Sequence, residues 1–257
     1  MSIPNDVEQY GFVTEGLGAH SSRTIMLREL TLLLAACPTN SAFAEYESAI
    51  MSDNVLLKKT DATRRESVRR LRELYSLNSG FILFRALRDL WSFDHQAQPM
   101  IALLGAIARD PMLRATVPAI LQARLGEPVT ANLISETVNR HHPGRLNETT
   151  LANIGRHAAS SWTQSGHLLG RSNKVRVKAH SHPTSVAYAV LLGYLCGSRG
   201  EALFNTAWTQ LLDATRHTLH EQAFLASQRG WLEYRHAGSV TEIGFSYLLR
   251  KEPVQDE

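Results

Sequence analysis

The 257-residue chain predicts a mainly α protein, a multi-helix bundle followed by a winged-helix-like region with short β-hairpins. Apolar residues recur at helical spacing through the first half, in runs separated by short breaks rich in Pro, Gly and Ser. In the second half the texture changes twice. Each time a helical run ends at glycine and gives way to alternation with a period of two, which only an extended strand uses. With 44% apolar residues the chain has enough to fill a core of this size.

Taken in order, Ser21 or Ser22 is the expected cap of a helix running to about Ala36, with Ile25, Met26, Leu30, Leu33 and Leu34 on its apolar face and Pro38 to stop it. A shorter helix covers 41–51. The next starts near Thr60 and Asp61, where Thr63 and Glu66 have capping-box spacing, and Val68, Leu71 and Tyr75 form its stripe. "GFILFRALRDLW" and the Pro99-led "PMIALLGAIARD" follow. "DPMLRATVPAILQARLG" has Asp110 as N-cap, Pro111 in its first turn and Gly126 just past its end, with Pro118 expected to kink it.

Residues 126–150 are richer in polar and helix-breaking residues, which divides the chain into an N-terminal helical bundle over 1–130 and a helical region with winged-helix-like hairpins over 131–257. In the second region "TANLISETV" reads as a short helix. Thr149 or Thr150 then caps a longer one, with Leu151, Ile154, Ala158 and Trp162 on one side and Asn153, Arg156, His157, Ser160 and Gln164 on the other. Gly166 ends it, and a hairpin over 167–169 and 174–179 turns at "GRSN". A helix followed at once by a basic hairpin is the order of a winged helix-turn-helix. Lys174, Arg176 and Lys178 are expected on the solvent face, with Val175 and Val177 packed inward. Further on, Thr184 or Ser185 caps an apolar helix to about Cys196, another helix covers 200–215, and "HTLHEQAFLASQR" leads through Gly230 into a second hairpin about "HAGS". The tail "KEPVQDE" is polar and expected to fray.

The net charge of +3 hides a strong segregation. From Thr149 to Gly200 there is no acid at all, while Arg156, Arg171, Lys174, Arg176, Lys178 and Arg199 are all basic. A second basic focus, "KKTDATRRESVRRLRE", sets seven Lys or Arg against three acids. Clustered cations of this kind suit a polyanion, because each phosphate they neutralise releases counterions. Lys58, Lys59, Arg64, Arg65 and Arg69 are the candidates on the Arg-rich helix. Asn153, Arg156, Ser160, Arg171, Lys174, Arg176 and Lys178 are the candidates on the later helix and hairpin.

Other chemistries find little support. The longest apolar stretches are too short to span a bilayer, and the start of the chain lacks a basic-then-apolar leader pattern, so a cytoplasmic protein without membrane contact is expected. Cys37 and Cys196 have no Cys-x-x-Cys spacing and read as buried small residues. His141-His142, His180-x-His182 and His217-x-x-His220-Glu221 do not complete a ligand set, and no metal or other cofactor is expected. There is no nucleophile elbow, phosphate loop or dinucleotide fingerprint; "EGLGAHSS" is a short glycine pair before a helix cap. An enzyme is therefore not expected.

The run "DNVLLKKTDATRRESVRRLRELYSL", a long helical stretch containing "DPMLR", and "SSWTQSGHLLGRSNKVRVK" together resemble, over roughly residues 20–215, the BrxA family of small DNA-binding proteins in bacterial BREX phage-defence systems. The resemblance implies a helical protein related in shape to NusB-type antitermination factors, with winged-helix-like parts. It also implies binding of double-stranded DNA without catalysis, alongside other defence-complex proteins. By position it makes Lys58, Lys59, Arg64 and Arg65, and Arg171, Lys174, Arg176 and Lys178, the contact residues. The chain after about Asp213, with its second hairpin, lies outside the resemblance. A helical adaptor whose basic surface meets an acidic protein, and an RNA-binding antitermination-like factor, are the alternative expectations.

Overall fold

The computed structural model describes residues 3–238 and 240–250; the tail read as frayed, 251–257, lies outside the described residues. The described chain is mainly helical. Its helices are α1 (Leu27–Ala36), α2 (Phe43–Met51), α3 (Asp61–Tyr75), α4 (Ile82–Trp91), α5 (Gln98–Arg109), α6 (Pro111–Ala115), α7 (Val117–Leu121), α8 (Ala131–His141), α9 (Glu148–Gln164), α10 (Pro183–Leu195), α11 (Ala207–Gln210) and α12 (Arg216–Gln228). Two antiparallel hairpins complete it, β1 (Leu168–Leu169) with β2 (Val175–Arg176), and β3 (Glu233–Ala237) with β4 (Val240–Gly244).

α5 and α10 are apolar on nearly every side, and the fold follows from that, since such helices must be surrounded. They pack on each other, with α4 against both and α11 and α12 closing over α10. Gly105 makes the close approach possible: a Cβ there would lie 2.9 Å from Leu87 Cδ1 and 3.4 Å from the Tyr188 hydroxyl. The Tyr188 hydroxyl donates to the Leu83 carbonyl, so this buried polar atom at the crossing is satisfied. The main buried apolar cluster runs without interruption from Val7 to Leu248, and a second, small one joins Met112, Ala115, Val138 and Ile154 beneath α6, α8 and α9. Cys37 is buried and Cys196 half-buried, both as free thiols.

Several element starts differ from the sequence expectation, each for a local reason. α1 begins at Leu27 rather than after Ser21 or Ser22, because Met26 is left-handed (φ +50°) and the chain before it is held to α9 by the Ile25 N–H donating to Ser161 Oγ. Thr60 caps α3 through the Thr63 N–H, with Thr63 rather than Glu66 completing the box. The segment with Pro118 is broken rather than kinked: α6 stops at Ala115 and α7 restarts at Val117 with the proline in its first turn. Asn147, not Thr149 or Thr150, caps α9. The segment 200–215 is a 3₁₀ turn over Gly200–Asn205 followed only by the short α11.

The first hairpin gains a neighbour that the sequence does not announce. Residues 126–129 run antiparallel to β2: Gly126 N–H donates to the Arg176 carbonyl at 2.8 Å, Arg176 N–H to Glu127 at 2.9 Å, and Val129 N–H to Lys174 at 2.9 Å. Across this small sheet the order is therefore 126–129, β2, β1, with α8 and α9 inserted between its first and last members.

Candidate nucleic-acid interface

α9 is the centre of this region and is fixed from three sides. Gly155 lets the α8 backbone come close, since a Cβ there would lie 2.3 Å from the Ala131 carbonyl oxygen, and the Ser135 hydroxyl donates across to the Leu151 carbonyl. The fully buried Trp162 donates its indole N–H to the Thr116 hydroxyl at 2.8 Å, at the break between α6 and α7. On the third side, His20 lies between two partners. Its Nδ1 is 2.8 Å from Asp110 Oδ2, and its Nε2 is 2.8 Å from Ser161 Oγ.

Carboxylate, imidazole and hydroxyl in that order are also the parts of an acyl-transfer triad. Here His20, Asp110 and Ser161 are no more than 1% exposed. The Ser161 hydroxyl donates to the His157 carbonyl and accepts the Ile25 N–H, while Asp110 Oδ1 accepts the Met112 and Leu113 N–H groups at the start of α6. The three residues thus clamp the 19–25 segment to α6 and α9. Burial works to raise the Asp110 carboxyl pKa, but the adjacent His20 and the N–H bonds outweigh it and hold the carboxyl below its usual range. Gly18 explains the "EGLGAHSS" glycines: it sits at φ +60°, and a Cβ there would lie 2.2 Å from Asp110 Oδ1.

The outer side of α9 presents Thr149, Asn153, Arg156 and Ser160, spaced along one stripe of the helix. Arg156 is exposed and donates to Asn153 Oδ1; Ser160 is half-buried beside Gln164. His157 and Gln164, expected on the same face, turn inward to the His20 carbonyl and the Leu27 N–H. One helical turn past Ser160, the Thr163 hydroxyl accepts from Lys174 Nζ at 2.9 Å, which ties the hairpin loop to the end of the stripe. Arg171 and Lys178 are exposed, and neither has a side-chain partner among the described residues.

Arg176 corrects the sequence expectation. It is 4% exposed and faces inward with its cross-strand neighbour Leu168, while Leu169, the partner of Val175, is 64% exposed. The register therefore turns the opposite face to the core from the one that the Val175 and Val177 alternation implies. Arg176 forms a two-pronged pair with Asp213, Nη1 donating to Oδ2 at 2.8 Å and Nη2 to Oδ1 at 2.5 Å, and its Nε donates to the Ile120 carbonyl. It holds the fold together and cannot reach a ligand. His167 lies beside this pair, fully buried: Ser165 donates to Nδ1 and Nε2–H donates to the Leu211 carbonyl. Burial pushes its pKa down to about 4, so it is neutral at physiological pH.

Of the candidates around α3, most are occupied. Lys58 pairs with Glu29 at 2.7 Å, and Arg64 donates to the Met51 carbonyl and lies 3.5 Å from Asp61. Arg69 is held by Glu66 and Glu73, which also hold Arg70. Lys59 and Arg65 are exposed and without side-chain partners among the described residues. No hydrogen bond or ion pair joins the α3 candidates to those on α9 and the hairpin, among the described residues.

The histidines rearrange as well. His182 pairs with Asp94 and His217 with Glu221 on the surface, but His220 meets two residues the sequence does not link to it, Glu201 and His236. One ligand atom from each of these three lies within 4.8 Å of the others. Neither Asp213 nor Glu201 carries a local signal of its role, because each acts on residues 15 to 40 positions away. Among the described residues, no helix is long and apolar enough to cross a membrane. No family model matches the chain and no curated protein matches it, so its geometry carries the functional argument.

Proposed function

We propose that α8, α9 and the β1–β2 hairpin form a winged-helix-like DNA-binding module in a non-catalytic, cytoplasmic component of a bacterial phage-defence complex, as the resemblance to the BrxA family implies. On this reading residues 1–130 are a NusB-like bundle that carries the module, and double-stranded DNA and other defence-complex proteins are its partners. The observation that carries the reading is the strand order 126–129, β2, β1 with α8 and α9 inserted between them. On this reading α9 is the recognition helix and the Gly170–Lys174 loop is the wing. The stripe Thr149, Asn153, Arg156 and Ser160 then supplies groups for base edges and phosphates, while Arg171, Lys174 and Lys178 follow the neighbouring backbone.

Binding of a short labelled duplex, followed by fluorescence anisotropy across a salt series, tests this. Changing Arg156, Arg171 and Lys178 together to Ala lowers affinity and reduces the salt slope by about one unit per lost phosphate contact. Unchanged affinity in that variant sinks the assignment. Tighter binding to RNA than to the DNA duplex transfers the site to the antitermination-like reading.

One observation favours the adaptor reading. A groove of about 640 Å³ between α2 and α3 is lined by Phe43, Met51 and Val68 together with four arginines, Arg65, Arg69, Arg72 and Arg109, against two acids, Glu47 and Glu73, a cationic excess that suits an acidic amphipathic helix. Absence of any nucleic-acid binding at low salt, with co-purification of an acidic protein that R65E/R72E abolishes, selects it.

A further inference from the structure

We propose that Glu201, His220 and His236 form a binding site for a divalent transition-metal ion of zinc type, with one coordination position left to solvent or to an anionic ligand. The three come from separate elements: the 3₁₀ turn at Gly200–Asn205, α12 and β3. Two imidazoles and a carboxylate are a donor set that zinc accepts readily, and three protein ligands are the number that leaves a position open.

The surroundings are those of an oriented ligand set. His220 Nδ1 is 2.7 Å from the Tyr234 hydroxyl, which leaves its Nε2 toward Glu201, and His236 Nδ1 is 2.8 Å from the Thr241 hydroxyl. Metal-binding imidazoles are held in this way, because the outer bond fixes both ring plane and tautomer. Phe204 packs at a tilt against His220 with ring centroids 4.1 Å apart, and the His220 and His236 rings are 4.9 Å apart. Glu201 is steadied by Thr241 on Oε2 and by Arg216 on Oε1.

His220 Nε2 and Glu201 Oε1 are 3.0 Å apart, close to the edge of about 3.3 Å that a tetrahedral zinc with bonds near 2.0 Å requires. The full spread of 4.8 Å is wider than that edge, and the exposed His236 is the ligand free to close it. Arg216 is the opponent of the site, since its guanidinium donates to the oxygen that faces His220. Its side chain is 57% exposed and can leave. An ion here would tie the β3–β4 hairpin to α12 and the 3₁₀ turn, in the part of the chain outside the DNA-binding module.

Zinc titration of the chelator-stripped full chain, by calorimetry and with cobalt(II) as a visible-band substitute, tests the proposal. One ion per chain is expected, with a four-coordinate cobalt spectrum. H236A, at an exposed position with little effect on folding, weakens binding by about tenfold or more. H217A leaves it unchanged, and R216A strengthens it by removing the competing cation. Absence of zinc binding at micromolar concentration overturns the site, as does zinc binding that persists unchanged in both H236A and H220A.

Discussion

Each of the two hairpins follows a helix ended by a left-handed glycine, Gly166 at φ +82° and Gly230 at φ +74°, and each is fixed by one carboxylate from outside it. At the first, Asp213 takes Arg176 and also accepts the Ala179 N–H at 2.8 Å. At the second, Glu201 takes the Thr241 hydroxyl and joins His220 and His236. The outcomes diverge. Asp213 pulls a cation into the interior, which leaves Arg171 and Lys178 as the outward charges of the first hairpin. Glu201 gathers two imidazoles, His220 half-buried and His236 exposed. Alternation along a strand tells which residues share a face, and a distant acid decides what that face does.

The largest effect that sharpens this contrast is at Asp213. Arg176 is 4% and Asp213 14% exposed, so D213A leaves a buried guanidinium without its counter-charge and costs about 3–5 kcal/mol in urea unfolding. The double variant R176M/D213A costs less than the sum of the single changes, because it removes the uncompensated charge as well. A D213A cost below about 1 kcal/mol would show that Arg176 escapes to water and that the inward register does not hold the hairpin.

Next in size is a separation of the hairpins by pH. His167, under the first hairpin, has its folded-state pKa lowered by burial to about 4, against about 6.5 when unfolded. Between those values the unfolded chain binds a proton that the folded chain does not, so stability falls as pH drops from about 6.5 to about 4, by about 3 kcal/mol at most. His142 and His157, both lowered by burial, act in the same direction. Glu201 is also lowered, but as an acid: its contribution is intact above about 4.5 and is lost as pH falls toward about 2. H167Q flattens the upper window of a stability–pH curve and leaves the lower one. A curve that H167Q does not alter would show that His167 is solvated.

How much of this was legible depends on the range of the interaction. The α3 stripe of Val68, Leu71 and Tyr75 and the Asp110 cap with Pro111 behind it are local, and the structure has them where periodicity and capping place them. Both hairpins were visible for the same reason. The inward face of β2 was not, since Val175 and Val177 look like core and Arg176 looks like surface until Asp213, 37 residues later, is brought beside it. Nor was the Arg-rich helix as open as its composition suggests: Glu66 and Glu73 neutralise Arg69 and Arg70 at spacings of three and four, a signal that was present but that charge counting averages away. The His20 clamp and the Glu201 cluster draw on residues 90 to 141 and 16 to 35 positions apart, and no local pattern reports such meetings.

The smallest effects discriminate best between the hairpins, because they separate stability from binding. R171A and K178A remove exposed cations of the first hairpin and change unfolding free energy by no more than about 0.5 kcal/mol. Each nonetheless lowers the salt slope of duplex binding by about one unit on the winged-helix reading. R176A, two residues from Lys178, does the reverse: it destabilises the fold and removes no phosphate contact, so its salt slope stays that of the wild type under conditions where it is folded. Arg235, an exposed cation on β3, is the matched position of the second hairpin. On the winged-helix reading R235A changes neither stability nor slope, because the second hairpin is held by Glu201 and lies outside that module. If R235A reduced the slope as much as R171A, duplex affinity would be a property of net charge, and the distinction between a wing and an ordinary basic surface would be lost.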